Sequence, residues 1–352
     1  MTSTIIPNFN SDFKAGDNPA LSPDPSESIA IEIQDLQKRL GDRDAVAGVS
    51  LQVRSGEIFG LLGPNGAGKT TTLRCLCTLT QADAGRVKVA GLSVNDHPRA
   101  VRQKLGYVAQ ELALDKMLTG RELLQLHADL YHLPRSVARS RIEELLTVLD
   151  LQDYGDRLIG TYSGGLKKRL DLAAGLVHEP EILILDEPTT GLDLESRAVM
   201  WQMIRNLRQQ GKTILLTSHY LEEIDALCDR LAILDRGRVI SSGTPQELKS
   251  QVGGERITLR IREFTPDAEA QQVRSQLLQL PHIRSVTIHA SQGNALHLMV
   301  DAPTLDSHDI LSLVQAQIAS KNPLFGIARS QPSLEDVYLT ATGKMLGDPC
   351  QI

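Results

Sequence analysis

The segment Gly63-Pro64-Asn65-Gly66-Ala67-Gly68-Lys69-Thr70 constrains this chain more than any other. It follows Ile58-Phe59-Gly60-Leu61-Leu62, a short unbroken apolar run of the kind found in a sheet buried on both faces, and it opens a helical run. Strand, glycine loop and helix in that order form the setting a phosphate-binding loop requires. The glycines let the backbone close round phosphate groups, so that its N–H groups and the helix N-terminus face the negative charge. Lys69 is placed to reach the terminal phosphates and Thr70 to offer its hydroxyl to a magnesium ion, with Thr71 counted among the binding residues.

A second apolar run, Ile182-Leu183-Ile184-Leu185, ends in Asp186-Glu187. An acidic pair leaving a buried strand is commonly an ordinary strand exit. Downstream of a phosphate loop it reads as chemistry: Asp186 meets the magnesium through water, and Glu187 polarises the attacking water. Between the two stands Tyr162-Ser163-Gly164-Gly165-Leu166-Lys167-Lys168-Arg169, where Ser163 caps a helix over Leu166 to Val177 and presents free backbone N–H groups to an anion.

The rest of the chain supplies the frame. Helical patterns over 121–132, 136–149, 194–210 and 221–228 alternate with strand patterns over 213–217 and 231–234, which implies a parallel sheet covered on both faces. Ser28 to Ile33 and Val49 to Val53 read as earlier strands. At 352 residues the length prior suggests two domains. Past Thr244-Pro245 the rhythm changes: strands over 257–261, 286–289, 296–300 and 325–328, with helices over 266–280 and 305–319, compose a β-α-β-β-α-β sandwich. The proline-rich residues 1–28 read as a disordered tail.

Composition excludes several classes. With 43 acidic against 37 basic residues the chain carries a net charge of -6, which argues against a nucleic-acid partner. Cys75, Cys77, Cys228 and Cys350 are too few and too irregular for a disulfide framework or a zinc motif. His282, His289 and His297, scattered over strands and loops, are read as solvated or core histidines without a metal. No apolar run approaches the length that crosses a bilayer, and no secretion signal opens the chain. The expectation is a cytoplasmic protein whose membrane role comes through a partner.

Taken in order, Gly63 to Thr70, Gln110, Ser163-Gly164-Gly165, Asp186-Glu187, Gly191-Leu192-Asp193 and His219 resemble the nucleotide-binding subunit of ATP-binding-cassette transporters over about residues 29–250. The resemblance implies an α/β P-loop ATPase with a helical insert at about 112–170, followed by a small α+β, ferredoxin-like accessory domain at 255–345. It implies ATP and Mg2+ as ligands, and a head-to-tail homodimer with two ATP molecules at its interface. Ser163, Gly164 and Gly165 of one protomer would then contact the γ-phosphate held by Lys69 of the other. Gln110 would help hold magnesium and sense the membrane partner, His219 would contact the γ-phosphate, and Asp193 would link the two sites. The partner implied is a separate integral-membrane permease, with this chain peripheral on the inner face of the membrane.

Two departures stand out. The family's adenine-stacking aromatic is replaced by Leu40, which keeps an apolar face and loses a stacking contribution of about 0.5–1.5 kcal/mol. The Tyr-Ser-Gly-Gly-Leu-Lys-Lys-Arg variant and the closing Pro332-Ser333-Leu334-Glu335-Asp336-Val337-Tyr338-Leu339-Thr340 are similar to daunorubicin-resistance-type exporter ATPases. In that closing stretch Leu334, Val337 and Tyr338 share one helix face and are expected to dock inward. A soluble ATPase that remodels ribosomes or nucleic acid is the alternative, disfavoured by the single phosphate loop and the lack of a heptad run. A third reading, a ligand-sensing C-terminal sandwich, predicts a pocket within 255–330 and ligand-dependent turnover.

Overall fold

The computed structural model describes residues 28–252, 254–280, 282–300 and 325–342. The expected tail up to residue 27, the helix expected over 305–319 and Cys350 lie outside them.

A six-stranded sheet carries the site. Its order is β10-β9-β3-β8-β7-β6, with β3 at Ile58–Leu62, β6 at Leu105–Val108, β7 at Ile182–Asp186, β8 at Thr213–Ser218, β9 at Arg230–Asp235 and β10 at Arg238–Gly243. All neighbours are parallel except the edge pair β9–β10. The strand period of two divides its side chains between two cores. Phe59, Leu61, Ile184 and Leu215 enter one core; Ile58, Leu62, Leu183, Leu185 and Leu216 enter the other. That second core is closed by α3 (Gly120–Leu130), α4 (Arg135–Val148), α5 (Gly164–Leu176), α6 (Leu194–Gln209) and α7 (Leu221–Leu227).

The first core is closed by an antiparallel sheet, β2-β1-β4-β5, that the sequence reading did not separate. Here β1 (Ile29–Leu40) and β2 (Arg43–Arg54) are twelve residues each, longer than the segments read from the sequence, and turn back on each other at Gly41-Asp42. Beside β1 run β4 (Ala84–Val89) and β5 (Leu92–Ser93). Ile31, Ile33 and Leu36 of β1 meet Phe59 and Leu61 in this core, joined by Leu73 and Leu76 of α1 (Lys69–Leu76). Helix α2 (Pro98–Lys104) leads into β6.

After α8 (Pro245–Val252) come β11 (Glu255–Arg260), α9 (Asp267–Leu277), β12 (Ile283–His289), β13 (Ala295–Val300) and β14 (Gly326–Ser330). They form an antiparallel sheet ordered β12-β13-β11-β14 with its own apolar core of Ile257, Leu259, Val273, Leu277 and Leu298. The chain ends its described part in α10 (Leu334–Thr342), which leaves this sheet and packs against α8 and α7. As its spacing predicts, Leu334, Val337 and Tyr338 point inward, into one core with Ile224, Leu227, Leu248 and Val252.

Candidate active site

The phosphate loop is held by close backbone approach. A Cβ at Gly63 would stand 2.4 Å from the Leu234 carbonyl oxygen, and one at Gly68 2.4 Å from that of Ala45; Gly68 also adopts φ 105°, which side-chain-bearing residues rarely do. Gly68 caps α1, so the free N–H groups of that helix open onto the loop. Lys69 is 5% exposed. Its ammonium donates to the carbonyl oxygens of Gly63 at 2.6 Å and Pro64 at 3.2 Å, and lies 3.6 Å from Glu187 Oε1. Burial pulls its pKa below the usual lysine range, while the Glu187 carboxylate works the other way.

Asp186 ends β7 and Glu187 follows at φ 51°, a left-handed conformation that is strained for glutamate and sits where function would keep it. One hydroxyl holds this corner. Thr217 Oγ1 donates to Asp186 Oδ1 at 2.6 Å and accepts from the Glu187 N–H at 2.9 Å. Thr70 Oγ1 lies 3.3 Å from the same Asp186 oxygen, and Asp186 Oδ2 is buried with no hydrogen-bond partner among the described residues. A hydroxyl beside a carboxylate with an unspent oxygen is a donor set suited to a hard cation such as Mg2+.

Glu187 is 6% exposed and gathers the remaining groups. Its Oε2 accepts from Gln110 Nε2 at 3.2 Å and Thr190 Oγ1 at 3.1 Å, and lies 3.1 Å from His219 Nδ1. A cavity of about 410 Å3 opens over Lys69, Gln110 and Glu187, walled by Pro64 to Thr71 and by Leu40, Arg43 and Ala45. Leu40, at the end of β1 and 52% exposed, therefore offers its apolar face at the cavity rim.

The structure thus brings Lys69, Thr70, Gln110, Asp186, Glu187 and His219 together. It does not bring Ser163, Gly164, Gly165 or Asp193 to the cavity wall. Ser163 caps α5, accepting from the Leu166 N–H, and Asp193 caps α6, accepting from Ser196 N–H at 2.7 Å. Gly164 faces open space, while a Cβ at Gly165 would stand 2.7 Å from Ser196 Oγ and force that side chain to shift.

Three residues of the site, Thr190 on Glu187 Oε2 and the two that follow, are not marked by the sequence. Arg43 reaches across from β2 to donate to the Gly66 carbonyl at 3.3 Å, and Thr217 holds the carboxylate corner. The only local signal for either is a polar residue at a strand end. The histidine reading needs a correction: His289 and His297 are not scattered but buried together, their rings 3.6 Å apart. The rings are tilted at 32° to each other, ligand atoms of the two histidines and Glu335 lie within 4.8 Å of one another, and Arg256 lies against His297. His282 sits outside the pair.

Fold and site define a P-loop nucleoside triphosphatase of α/β architecture. Residues 46–190 match the ABC transporter family. The chain is 44% identical over 315 residues to the daunorubicin resistance ATP-binding protein DrrA3 of Streptomyces coeruleorubidus, covering 89% of this chain and 96% of that one. It is 39% identical to the Nod factor export ATP-binding protein I of Burkholderia pseudomallei, covering 90% and 98%. Among solved structures, the ATP-binding cassette MJ0796, dimeric in a post-hydrolysis state with ADP and Pi, superposes with a TM-score of 0.56 at 25% identity, over 61% of this chain and 98% of that one. The chain belongs to the ABC transporter family, as one of its ATP-binding, ATP-hydrolysing subunits.

Proposed function

We propose that this ATPase drives export of a drug-like, lipid-like or glycan substrate through a separate membrane permease, against whose inner face it sits. No helix among the described residues is long and apolar enough to cross a membrane. The proteins it resembles are a daunorubicin resistance protein and a Nod factor export protein. The observation that carries the working assembly is the position of the signature segment: Ser163 and Gly164 stand exposed, away from the chain's own phosphate cavity. We read them as reaching the γ-phosphate held by Lys69 of a second copy, with Asp193 beside that interface, so that ATP closes a head-to-tail homodimer.

Thr70, Asp186 and Gln110 are the residues that would hold Mg2+, which when bound neutralises charge on the phosphates. Lys69 leaves its loop carbonyls for the terminal phosphates, and Glu187 accepts a proton from the attacking water. Gln110 and His219 orient the Glu187 carboxylate from one side and Lys69 balances it from the other. Hydrolysis then removes the bridging γ-phosphate and the dimer reopens, converting chemical free energy into alternating access. By this reading residues 29–250 form the cassette and 255–345 an accessory domain.

The experiment is a pull-down of tagged Glu187→Gln chain from native membranes with ATP and Mg2+. A polytopic membrane protein is expected in the eluate; ribosomes or nucleic-acid enzymes in its place would move the assignment to a soluble remodelling ATPase.

A further inference from the structure

Lys168 is a buried cation that the mechanism above does not use. It lies on α5, five residues past the capping Ser163, and is 5% exposed. A lysine is seldom taken out of water so fully without a specific partner. Its partner is the main chain of the active site: Lys168 Nζ donates to the Gln110 carbonyl oxygen at 2.9 Å. From the same residue, Gln110 Nε2 donates to Glu187 Oε2 at 3.2 Å. Three residues link in series, from α5 through the turn after β6 to the carboxylate after β7.

The surroundings favour this arrangement over a merely tolerated one. Asp171, three residues on along α5, is half-buried, and desolvation pushes its carboxyl up to about 6. Asp171 Oδ2 has no hydrogen-bond partner among the described residues, so it does not claim the Lys168 ammonium as a close ion pair. The ammonium is left to the carbonyl. Burial lowers the Lys168 pKa, with Asp171, Asp186 and Glu187 acting in the opposite sense. The charge thus lies within the field of both active-site carboxylates, and the carbonyl of Gln110 is where it is anchored.

We propose that Lys168 is a positioning residue: by gripping the Gln110 carbonyl it fixes the orientation of the Gln110 amide on Glu187. In doing so it ties the helix that carries Ser163-Gly164-Gly165 to the chain's own hydrolytic site. Its second half rests on the head-to-tail reading above. If α5 meets the nucleotide of the partner, any shift of that helix is passed through Lys168 to Gln110 and Glu187, and the state of one site reaches the other through two hydrogen bonds. Nothing about Lys168 touches the phosphate cavity, so its effect falls on turnover and not on binding.

The test uses the purified full chain. Lys168→Met removes the donor and keeps an unbranched apolar stem, one bond shorter. The expected result is a fall in kcat of about tenfold with the affinity for a fluorescent ATP analogue held within about twofold, the signature of an interaction needed for chemistry and not for binding. Amide hydrogen exchange over residues 109–112 rises in the same variant without nucleotide. Lys168→Arg, which restores a charged donor, recovers both readings to within about threefold. Should Lys168→Met not fold, Lys168→Gln serves instead: its amide is one bond shorter and cannot reach the carbonyl within hydrogen-bond range. The inference is overturned if exchange over 109–112 matches the unaltered chain, or if affinity falls as far as turnover. Loss of a structural strut alone would give that second result. Absence of turnover in the unaltered chain would count against the assembly reading, and the exchange measurement would still decide the role of Lys168.

Discussion

Two of the buried polar clusters among the described residues are built to opposite ends. Around Glu187, a lysine, a glutamine, a histidine and two threonines converge beside a cavity of about 410 Å3, with Asp186 Oδ2 left unsatisfied. Around Arg256, in the C-terminal sheet, the groups turn on one another. Arg256 donates to Ser333 Oγ at 2.7 Å and Asp336 Oδ2 at 3.2 Å, and lies against His297, whose ring is tilted against that of His289. The same Asp336 accepts from the Ser333 N–H at 2.8 Å, capping α10, the helix that docks on α7 and α8. A cluster that lines a cavity with Lys69, Gln110 and Glu187 and leaves an Asp186 oxygen unspent behind them is arranged for a ligand. One whose hydrogen bonds run from a sheet to a helix, with Arg256 Nε its orphan atom, is arranged to hold the two together.

The largest separation of the two clusters comes from neutralising one charge in the first. Glu187→Gln keeps the volume and removes the base; turnover is expected to fall on the order of a thousandfold, with ATP affinity retained and a dimer accumulating on size-exclusion with ATP and Mg2+. Parental turnover would remove Glu187 from its role. Lys69→Ala acts on binding itself, and titration of a fluorescent ATP analogue should show affinity weakened by about a hundredfold.

In the second cluster the equivalent change acts on stability. Arg256→Met leaves Asp336 buried without its cation, and breaking a buried pair costs about 3–5 kcal/mol. A denaturant melt should show that loss while the nucleotide affinity of the remaining folded protein is unchanged; a loss of affinity at full stability would mean that the cluster serves the active site directly. Acid probes the same place. Burial, reinforced by Arg256, depresses His289 to about 4 and His297 to about 3, both below the unfolded value near 6.5. The unfolded chain therefore binds more protons below pH 6.5. Their contribution to stability is complete above that pH and is lost on falling toward 4 and 3, on the order of 1 kcal/mol per histidine per pH unit. Asp171, raised to about 6, has the opposite sign, so a global acid melt blends the two. Local hydrogen exchange should show β13 loosening between pH 6 and 4 while β7 does not.

The same contrast explains what could be read before the fold was known. Phosphate-loop chemistry is written in consecutive residues, Gly63 to Thr70, and the carboxylates follow a single apolar strand, so both stand out in one dimension. Thr217 lies thirty-one residues from Asp186 and meets it through the register of β7 and β8, while Arg43, twenty-three residues from Gly66, meets the loop only through the fold. His289 and His297 needed the β12–β13 register as well. Pairing of Thr287 with His297 and of His289 with Ala295 sets the two rings diagonally on one face. For the first sheet a signal existed: Val87 and Val89 alternate with Arg86 and Lys88 and are the buried residues of β4. Inward docking of α10 was legible because three apolar residues on one helix face are a local pattern.

The smallest expected effect concerns the one rim position where the site departs from its family. Leu40 lines the cavity beside Pro64 to Thr71, and it is the last residue of β1 before the turn to β2, so its backbone is fixed by pairing with Arg43. A larger ring there needs no room in a core, because the side chain is about half exposed. Leu40→Tyr should add a stacking contribution of about 0.5–1.5 kcal/mol against a planar base, tightening ATP binding by roughly two- to tenfold. Turnover at saturating ATP should not move, since the rim lies away from Glu187 and the change acts on ground state and transition state alike. Comparing ATP with a triphosphate that lacks a base isolates the term: tightening for ATP alone places adenine against residue 40. Equal tightening for both, or none, would place the base on another part of the wall, with Arg43 the next residue to replace.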